Sequence, residues 1–427
     1  MMRTLAATAA LLAFAACASA EAPYNLDWGV QWGTAGQEIG KAIALDDSGN
    51  VFVGGDCASD FSGYWMEHSD AFVAKYSPAG ELLWTSQLAT SEAEQCTAVA
   101  ADTLGNLYVT GWTYGMLGAA QLGGGDAFLT KFSPQGSLLW TRQFGTTSGE
   151  SAMDIAIDGS GSIFLTGGTG GRMGQSSLGG ADAFLTKCDA EGIVQWTQQF
   201  GTEHHEGGVS LGLDGMGNAF VCTRNVEDNA GYLAKFNPTG SMEWMQPVGE
   251  DGIDSPDDVV VDADGFAWVS GFSKTLINPG HTSGVPLLMR YGPEGELLWR
   301  RADSPVSDGM AMALTVDDSG TAYLCGAATL AEPDAFVAAC DSEGNWLWSS
   351  ILGAPDKEDV FMGAAMDASG NVYAAGGTGG SIFAENLNGD YGDLVVAKYR
   401  VPEPASLALL AVGGVALVSL RYRARAL

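Results

Sequence analysis

An all-β fold, a seven-bladed β-propeller of four-stranded blades, is what this sequence predicts, and three observations predict it. Tryptophans recur at Trp28, Trp84, Trp140, Trp196, Trp244, Trp299 and Trp348, between 48 and 56 residues apart. An Asp-x-x-Gly turn recurs seven times: Asp46 with Gly49, Asp102 with Gly105, Asp158 with Gly161, Asp214 with Gly217, Asp262 with Gly265, Asp317 with Gly320, and Asp367 with Gly370. Between these markers the chain reads as short apolar runs broken by turn residues, leaving no room for a helix of three turns. Seven copies of a four-strand unit are the signature of a propeller. A solenoid is the rival, but it needs atypical capping repeats, and none is present.

The interval 123–167 shows the unit most clearly. An apolar run at 127–132 ends at the turn Ser133-Pro134-Gln135-Gly136. A second run, 138–144, is centred on Trp140. Met153, Ile155 and Ile157 alternate with Asp154 and Ala156 at strand period. The turn from Asp158 to Gly161 leads into a last run, 163–166, that closes on Gly167. An Asp-Ala-Phe strand opens at Asp70, Asp126, Asp182 and Asp334 and survives as Asp393-Leu-Val; a lysine follows at Lys75, Lys131, Lys187, Lys235 and Lys398. The fourth and fifth copies depart from the pattern: Ala230 and Val285 replace the Asp, and Arg290 replaces the Lys.

The order of strands predicts how the ring closes. The first strand after the leader, 26–32, is a Trp strand, whereas the last, 393–399, is of the Asp-Ala-Phe type and lacks its Trp partner. Pairing the two completes the last blade and removes two open sheet edges. The propeller is therefore expected to occupy 21–400.

The turn residues have a structural reading. The Asp side chain accepts bonds from backbone amides two residues on, and Gly supplies positive φ before the next strand. The other reading is Ca²⁺ ligation, for which Asp262 and Asp264 are the candidates. Calcium takes six to eight oxygens, and one such turn offers only one or two. The repeated Trp and Phe read as packing between blades; an aromatic surface for sugars is the alternative. Loops between the second and third strands of a blade vary most, as in 116–125, 172–181 and 327–333. They emerge on one face and mark the expected partner surface, with Met116 and Met173 at matching places.

Catalytic chemistry has little support in the sequence. His204 and His205, flanked by Glu203 and Glu206, form the densest polar cluster among four histidines, but adjacent strand residues point to opposite faces. A solvated loop is expected there, with a metal site as the alternative. No nucleophile elbow, zinc-helix motif or phosphate loop is present. Cys57, Cys96, Cys188, Cys222, Cys325 and Cys340 are widely spaced. Export would permit disulfides, with Cys325 and Cys340 the pair best placed, on consecutive strands of one blade. Substituted apolar positions are the equal alternative. The 51 acidic and 19 basic residues give a net charge of −32, which repels nucleic acid and anionic membranes.

Both ends read as address labels. Residues 1–20 form a secretory signal peptide: Arg3, an apolar run at 5–16, and the small-residue cleavage site ending Ala18-Ser19-Ala20. Cys17 suggests a lipoprotein, but Phe14 stands where a lipobox wants Leu. At the other end, Val401-Pro402-Glu403-Pro404 precedes an apolar stretch, 405–420, and then Arg421, Arg423 and Arg425. About 16 residues is at or just below the length that spans a bilayer, and the arginines would stay cytoplasmic.

Two resemblances follow. The blocks DDSGNVFVGG (46–55), DTLGNLYVTG (102–111), DGSGSIFLTG (158–167) and DASGNVYAAG (367–376) resemble the bacterial seven-bladed β-propeller repeat known as SBBP, over nearly the whole mature chain. This repeat implies the fold but no common active site. Pro402, Glu403 and Pro404, with the apolar stretch and basic end, resemble the PEP-CTERM sorting signal of Gram-negative bacteria. It implies processing by an exosortase-type enzyme after transient membrane retention, then release or attachment at the surface among exopolysaccharides. A plain membrane anchor is the alternative. The expected protein is an exported monomer with a binding or structural role towards exopolysaccharide or another surface protein, with no firm cofactor and no nucleic acid. The rival is a polysaccharide hydrolase or lyase working at the mouth of the central channel.

Overall fold

A computed structural model describes residues 25–400 apart from 35, 60–64, 175–177, 226, 228–230, 250–253, 279–280, 304–305, 307, 330–332, 356 and 385–391. The leader (1–20, with Ala18 and Ala20) and the sorting segment (401–427, with Pro402, Glu403, Pro404 and the stretch 405–420) lie outside these. Among the described residues no helix is long and apolar enough to cross a membrane.

The described chain forms seven antiparallel four-stranded sheets. The innermost strands are Glu38–Leu45, Glu94–Ala101, Glu150–Ile157, Glu206–Leu213, Asp254–Val261, Gly309–Val316 and Asp359–Met366. Each touches the next around a closed ring, the seventh returning to the first. Blades one to six are continuous in sequence. Blade seven is completed by Asn25–Trp32, which pairs antiparallel with Asp393–Arg400, Trp28 lying opposite Lys398 and Trp32 opposite Leu394. Circular closure is thus as the strand order predicts.

The core is seven separate layers, one between each pair of adjacent blades. This explains the loss of alternation in the middle strands. Both faces of Leu107–Thr113 and Asp126–Phe132 meet a neighbouring blade, so five consecutive residues of each are buried. The tryptophans join the layers. The ring of Trp84 lies against Gly136 of the following blade, where a Cβ would come within 2.7 Å of it, and its Nε1 donates to the Pro134 carbonyl at 3.2 Å. Trp28 and Trp299 make the same bond to Pro78 and Ser342. Inter-blade packing is therefore what the tryptophan repeat encodes.

The Asp-x-x-Gly turns are built alike. Gly49, Gly105, Gly161, Gly217, Gly265, Gly320 and Gly370 all have φ between +75° and +84°, open to Gly and strained for other residues. Each of their amides donates to the carbonyl of the turn's own aspartate, from Gly49 on Asp46 to Gly370 on Asp367. The aspartate side chain accepts the amide two residues on, from Ser48 on Asp46 to Ser369 on Asp367. Lys75, Lys131 and Lys187 pair with Asp46, Asp102 and Asp158 at 3.2–3.8 Å. Arg290 keeps that place, pairing with Asp262 at 3.3 Å.

Two sequence expectations are corrected. Cys325 lies opposite Val337 and Cys340 opposite Ala322, three positions apart in register and hence on opposite faces of blade six. Cys325 is buried between blades six and seven, Cys340 between five and six. Both are free thiols. Leu117, rather than Met116, occupies the place of Met173: Leu117 and Met173 pack on their blades' cores, whereas Met116 is exposed.

Candidate functional site

Every inner strand carries a bulge, and it decides what lines the channel. The register shifts between Gly40 and Ala42, Cys96 and Ala98, Ala152 and Asp154, and at the equivalent points of the other four blades. An extra residue is thereby left unpaired on each blade. These are Lys41, Thr97, Met153, Val209, Asp257, Met312 and Met362, and together they line a channel cavity of about 260 Å³. Met153 is therefore a bulge residue and not one step of the strand alternation expected for it.

The bulge turns the next residue towards the neighbouring blade. In four blades that residue is Ala or Gly; in the third, fourth and fifth it is Asp154, Ser210 and Asp258. Ser210 Oγ lies 3.1 Å from Asp154 Oδ2 and 2.6 Å from Asp258 Oδ1. Asp154 also accepts the Leu211 amide at 2.7 Å, and Asp258 the Leu314 amide at 2.8 Å. Burial first, and then the charge of Asp258, push the Asp154 carboxyl up to about 7; burial likewise raises Asp258. This polar belt links four successive blades.

On the face that bears the long loops the channel opens into a cleft of about 660 Å³ between blades two, three and four. Trp112 and Tyr114 form an edge-to-face aromatic wall, with ring centroids 5.2 Å apart. Glycines at 124, 125, 149, 168, 207 and 208 make a flat floor. Met153 and Val209 close it towards the channel. Arg224 is held by Asp257 at 2.6 Å, and burial, opposed by Arg224, leaves the Asp257 carboxyl at about 6.

The carboxylates at the cleft are engaged in holding the loops. Glu150 accepts the Thr146 amide at 2.6 Å, the Thr146 hydroxyl at 2.7 Å and the Thr169 hydroxyl at 2.8 Å. Glu206 accepts the Thr202 amide at 2.8 Å and the Thr202 hydroxyl. The same clasp joins Thr34 to Glu38 and Thr90 to Glu94. A Thr-x-x-x-Glu spacing in the first four copies is the sequence signal for it. A second signal is the Gln three residues after each of the first four repeat tryptophans: Gln31, Gln87, Gln143 and Gln199 donate to Asp393, Asp70, Asp126 and Asp182. In blade five Ala302 stands at the Gln position and Val285 at that of the Asp; there Arg300, one residue after Trp299, makes two bonds to Asp254 instead.

His204 and His205 lie in the loop before Glu206–Leu213, as expected. His204 points to Glu227 across 3.9 Å, both exposed, and His205 edges the cleft. They are not brought together on one ligand, and among the described residues no group of three metal-ligating side chains forms. Asp262 accepts the amides of Asp264 and Phe266, Trp268 Nε1 and Arg290 Nη2, while Asp264 is exposed. The carboxylate of Asp262 is thus saturated by protein donors, which fits a turn better than a calcium ligand.

Comparisons with known proteins agree with the fold and the tail. Residues 83–117 match the SBBP beta-propeller repeat and residues 400–424 the PEP-CTERM protein-sorting motif. The regulatory protein FlaEY of Caulobacter vibrioides is 34% identical over 100 residues, 22% of this chain and 10% of that protein. The chain thus spans about a tenth of the length of this curated relative. Among solved structures, the polysaccharide lyase Uly1 superposes with a TM-score of 0.54 at 12% identity, over 88% of this chain and 99% of the other. A puromycin hydrolase mutant gives 0.50 at 11% identity, over 81% and 51%. At such identities the likeness is one of fold alone.

Proposed function

We propose, for a chain that is a seven-bladed β-propeller with the SBBP repeat and a PEP-CTERM protein-sorting motif, that it is an exported surface protein with a binding or structural role. In this reading a leader ending at Ala20 directs export. The segment 405–420 then holds the chain at the inner membrane until an exosortase-type enzyme acts near Pro402-Glu403-Pro404. The propeller is released to the cell surface or its exopolysaccharide, where the loop face meets its ligand. The observation that carries the reading is the matched motif at 400–424, which begins where the last strand ends at Arg400.

The aromatic wall and glycine floor of the cleft suit a flat, largely uncharged ligand such as a sugar ring stacked on Tyr114. A polysaccharide hydrolase would instead need a carboxylate free to act on substrate, whereas Glu150 and Glu206 are both clasped by threonines. Intact mass and fractionation of the protein from its native host test the proposal. Loss of the residues after about Pro404, with protein at the surface or in the medium, is expected. An intact C-terminus in the inner membrane would leave a plain anchor and remove the link to exopolysaccharide.

A further inference from the structure

One face of the propeller carries exposed aliphatic side chains that packing within the fold does not explain. The outermost strand of each blade starts on the face of the Asp-x-x-Gly turns, and its first residues are apolar and open to solvent. These include Leu82 and Leu83, Leu138 and Leu139, Leu297 and Leu298, at 44–56% exposure. Ile193, Met242 and Leu347 continue the series in other blades. At the tips of two turns on the same face, Leu104 and Met216 are 78% and 75% exposed. Single exposed aliphatics are ordinary, but a rim of them at one height around a ring is not. Edge strands more often carry charges there.

The same face is where the chain leaves the fold. Asp393–Arg400 ends beside Val372, the residue that follows the turn from Asp367 to Gly370 by two positions, with Tyr399 opposite Val372. Arg400 itself lies opposite Asn25, at the rim position of blade seven. Only residues 401–404 separate it from the apolar stretch 405–420, and four residues reach at most about 14 Å. A tether that short holds the rim at the lipid surface at high effective concentration.

We propose that, while the chain is tethered, this face rests on an uncharged, zwitterionic lipid surface with its aliphatic rim in the interface. The proposal rests on the reading of 405–420 as a membrane segment. Charge selects the lipid: the same face carries exposed acids such as Asp47 and Glu81 on a chain of net charge −32, so an anionic bilayer repels it. Apolar burial in the interface is the attraction. The propeller then stands with its loop face and cleft directed away from the membrane, and release by cleavage near Pro404 frees both faces.

The test uses the full chain, with C17A, in phosphatidylcholine vesicles. A fluorophore is placed on the rim through L139C, or through L83C as a second rim site, and on the opposite face through L122C. The six native cysteines are buried, so label goes to the introduced thiol. Lipid-borne nitroxide is expected to quench both rim labels about threefold or more over the Leu122 site, with aqueous iodide showing the reverse order. Vesicles with anionic lipid should weaken this contrast. Equal quenching at rim and loop face in vesicles that float with the chain overturns the rim contact alone. Failure of the chain to float overturns the tether reading and this proposal with it. Rim labels shielded from both quenchers would mean that a second copy covers the rim, which also overturns it.

Discussion

Asp154 and Ser210, on adjacent blades, meet at 3.1 Å, and the same hydroxyl lies 2.6 Å from Asp258 on the blade beyond. Ser210 Oγ also accepts the Val259 amide. A hydroxyl has one proton, and the shorter contact to Asp258 takes it. The contact to Asp154 is then a hydrogen bond only when Asp154 is itself protonated and donates. Geometry and the raised carboxyl at about 7 agree on one proton held at Asp154 near neutrality.

The sign of the pH dependence follows. A carboxyl raised in the native state binds a proton between about pH 4 and 7 where the unfolded chain does not, so stability falls as pH rises through that window. Asp70 and Asp257, both raised to about 6 mainly by burial, act in the same direction. Asp158 and Asp367 act oppositely: burial raises them, but turn hydrogen bonds outweigh it and hold them low. Their contribution is lost below about pH 4. Urea unfolding is therefore expected to show greatest stability near pH 4–5. Leu211 and Ser210 both meet the same oxygen of Asp154, so the amide of D154N serves one and loses the other. That variant is weaker there by about 1 kcal/mol, with the deficit shrinking or reversing by about pH 8. Parallel pH profiles for the two proteins would sink this account.

Ring closure rests on one strand. Trp28 packs on Tyr373 with centroids 6.0 Å apart and bonds to Pro78 of blade one, so it fixes both the pairing within blade seven and the joint to its neighbour. W28A is expected to lower stability by about 2–3 kcal/mol, below the value for a fully buried Trp because the ring is only half-buried. The urea midpoint measures it, and a change under about 0.5 kcal/mol would show that closure does not depend on this contact.

How much of this was legible in the sequence depended on whether the feature repeats. The Trp, Asp-x-x-Gly and Asp-Ala-Phe markers recur, so blade number, turn chemistry and closure could be read from spacing. The bulges could not. An extra residue leaves the apolar pattern almost intact, so Met153 reads as a strand position although it faces the channel, and Asp154 reads as the polar step of that alternation although it is half-buried and bonded to the next blade. The cysteine pairing failed for a related reason. Consecutive strands put Cys325 and Cys340 close in order, but the face each occupies depends on register, which one hairpin turn shifts.

The thiols give a direct check of that register. Burial pushes all six upward, Cys188 and Cys340 to about 12 and the other four further. A thiol-specific reagent should find none in the native exported chain and all six after unfolding, and reductant should leave the melting temperature unchanged. Four reactive thiols in the unfolded, unreduced chain would mean that one pair is oxidised.

Calcium can be tested at the same turns. With Asp262 saturated by four protein donors, a chelator is expected to leave the melting temperature within about 1 °C. D262A should cost about 2–3 kcal/mol, because it strands the guanidinium of Arg290 in a half-buried place. A chelator-induced drop of several degrees would restore the metal reading.

The cleft offers the most direct link from structure to role. Trp112 and Tyr114 touch each other edge to face, and Tyr114 is 48% exposed, so one ring supports and the other presents its surface. Y114A should therefore weaken binding of a matrix polysaccharide about tenfold, the equivalent of about 1.4 kcal/mol, with no change in urea midpoint. W112A should weaken binding and stability together, since Trp112 is the more buried of the two. Gly180 provides a third probe at the rim of the same cleft. A Cβ there would meet the His205 ring at 2.1 Å, so G180A must displace the imidazole without touching the aromatic wall. Binding that survives G180A and fails in Y114A locates the ligand on the aromatic side. Binding that is indifferent to both removes the cleft as the ligand site and leaves the remaining loops of that face to be searched.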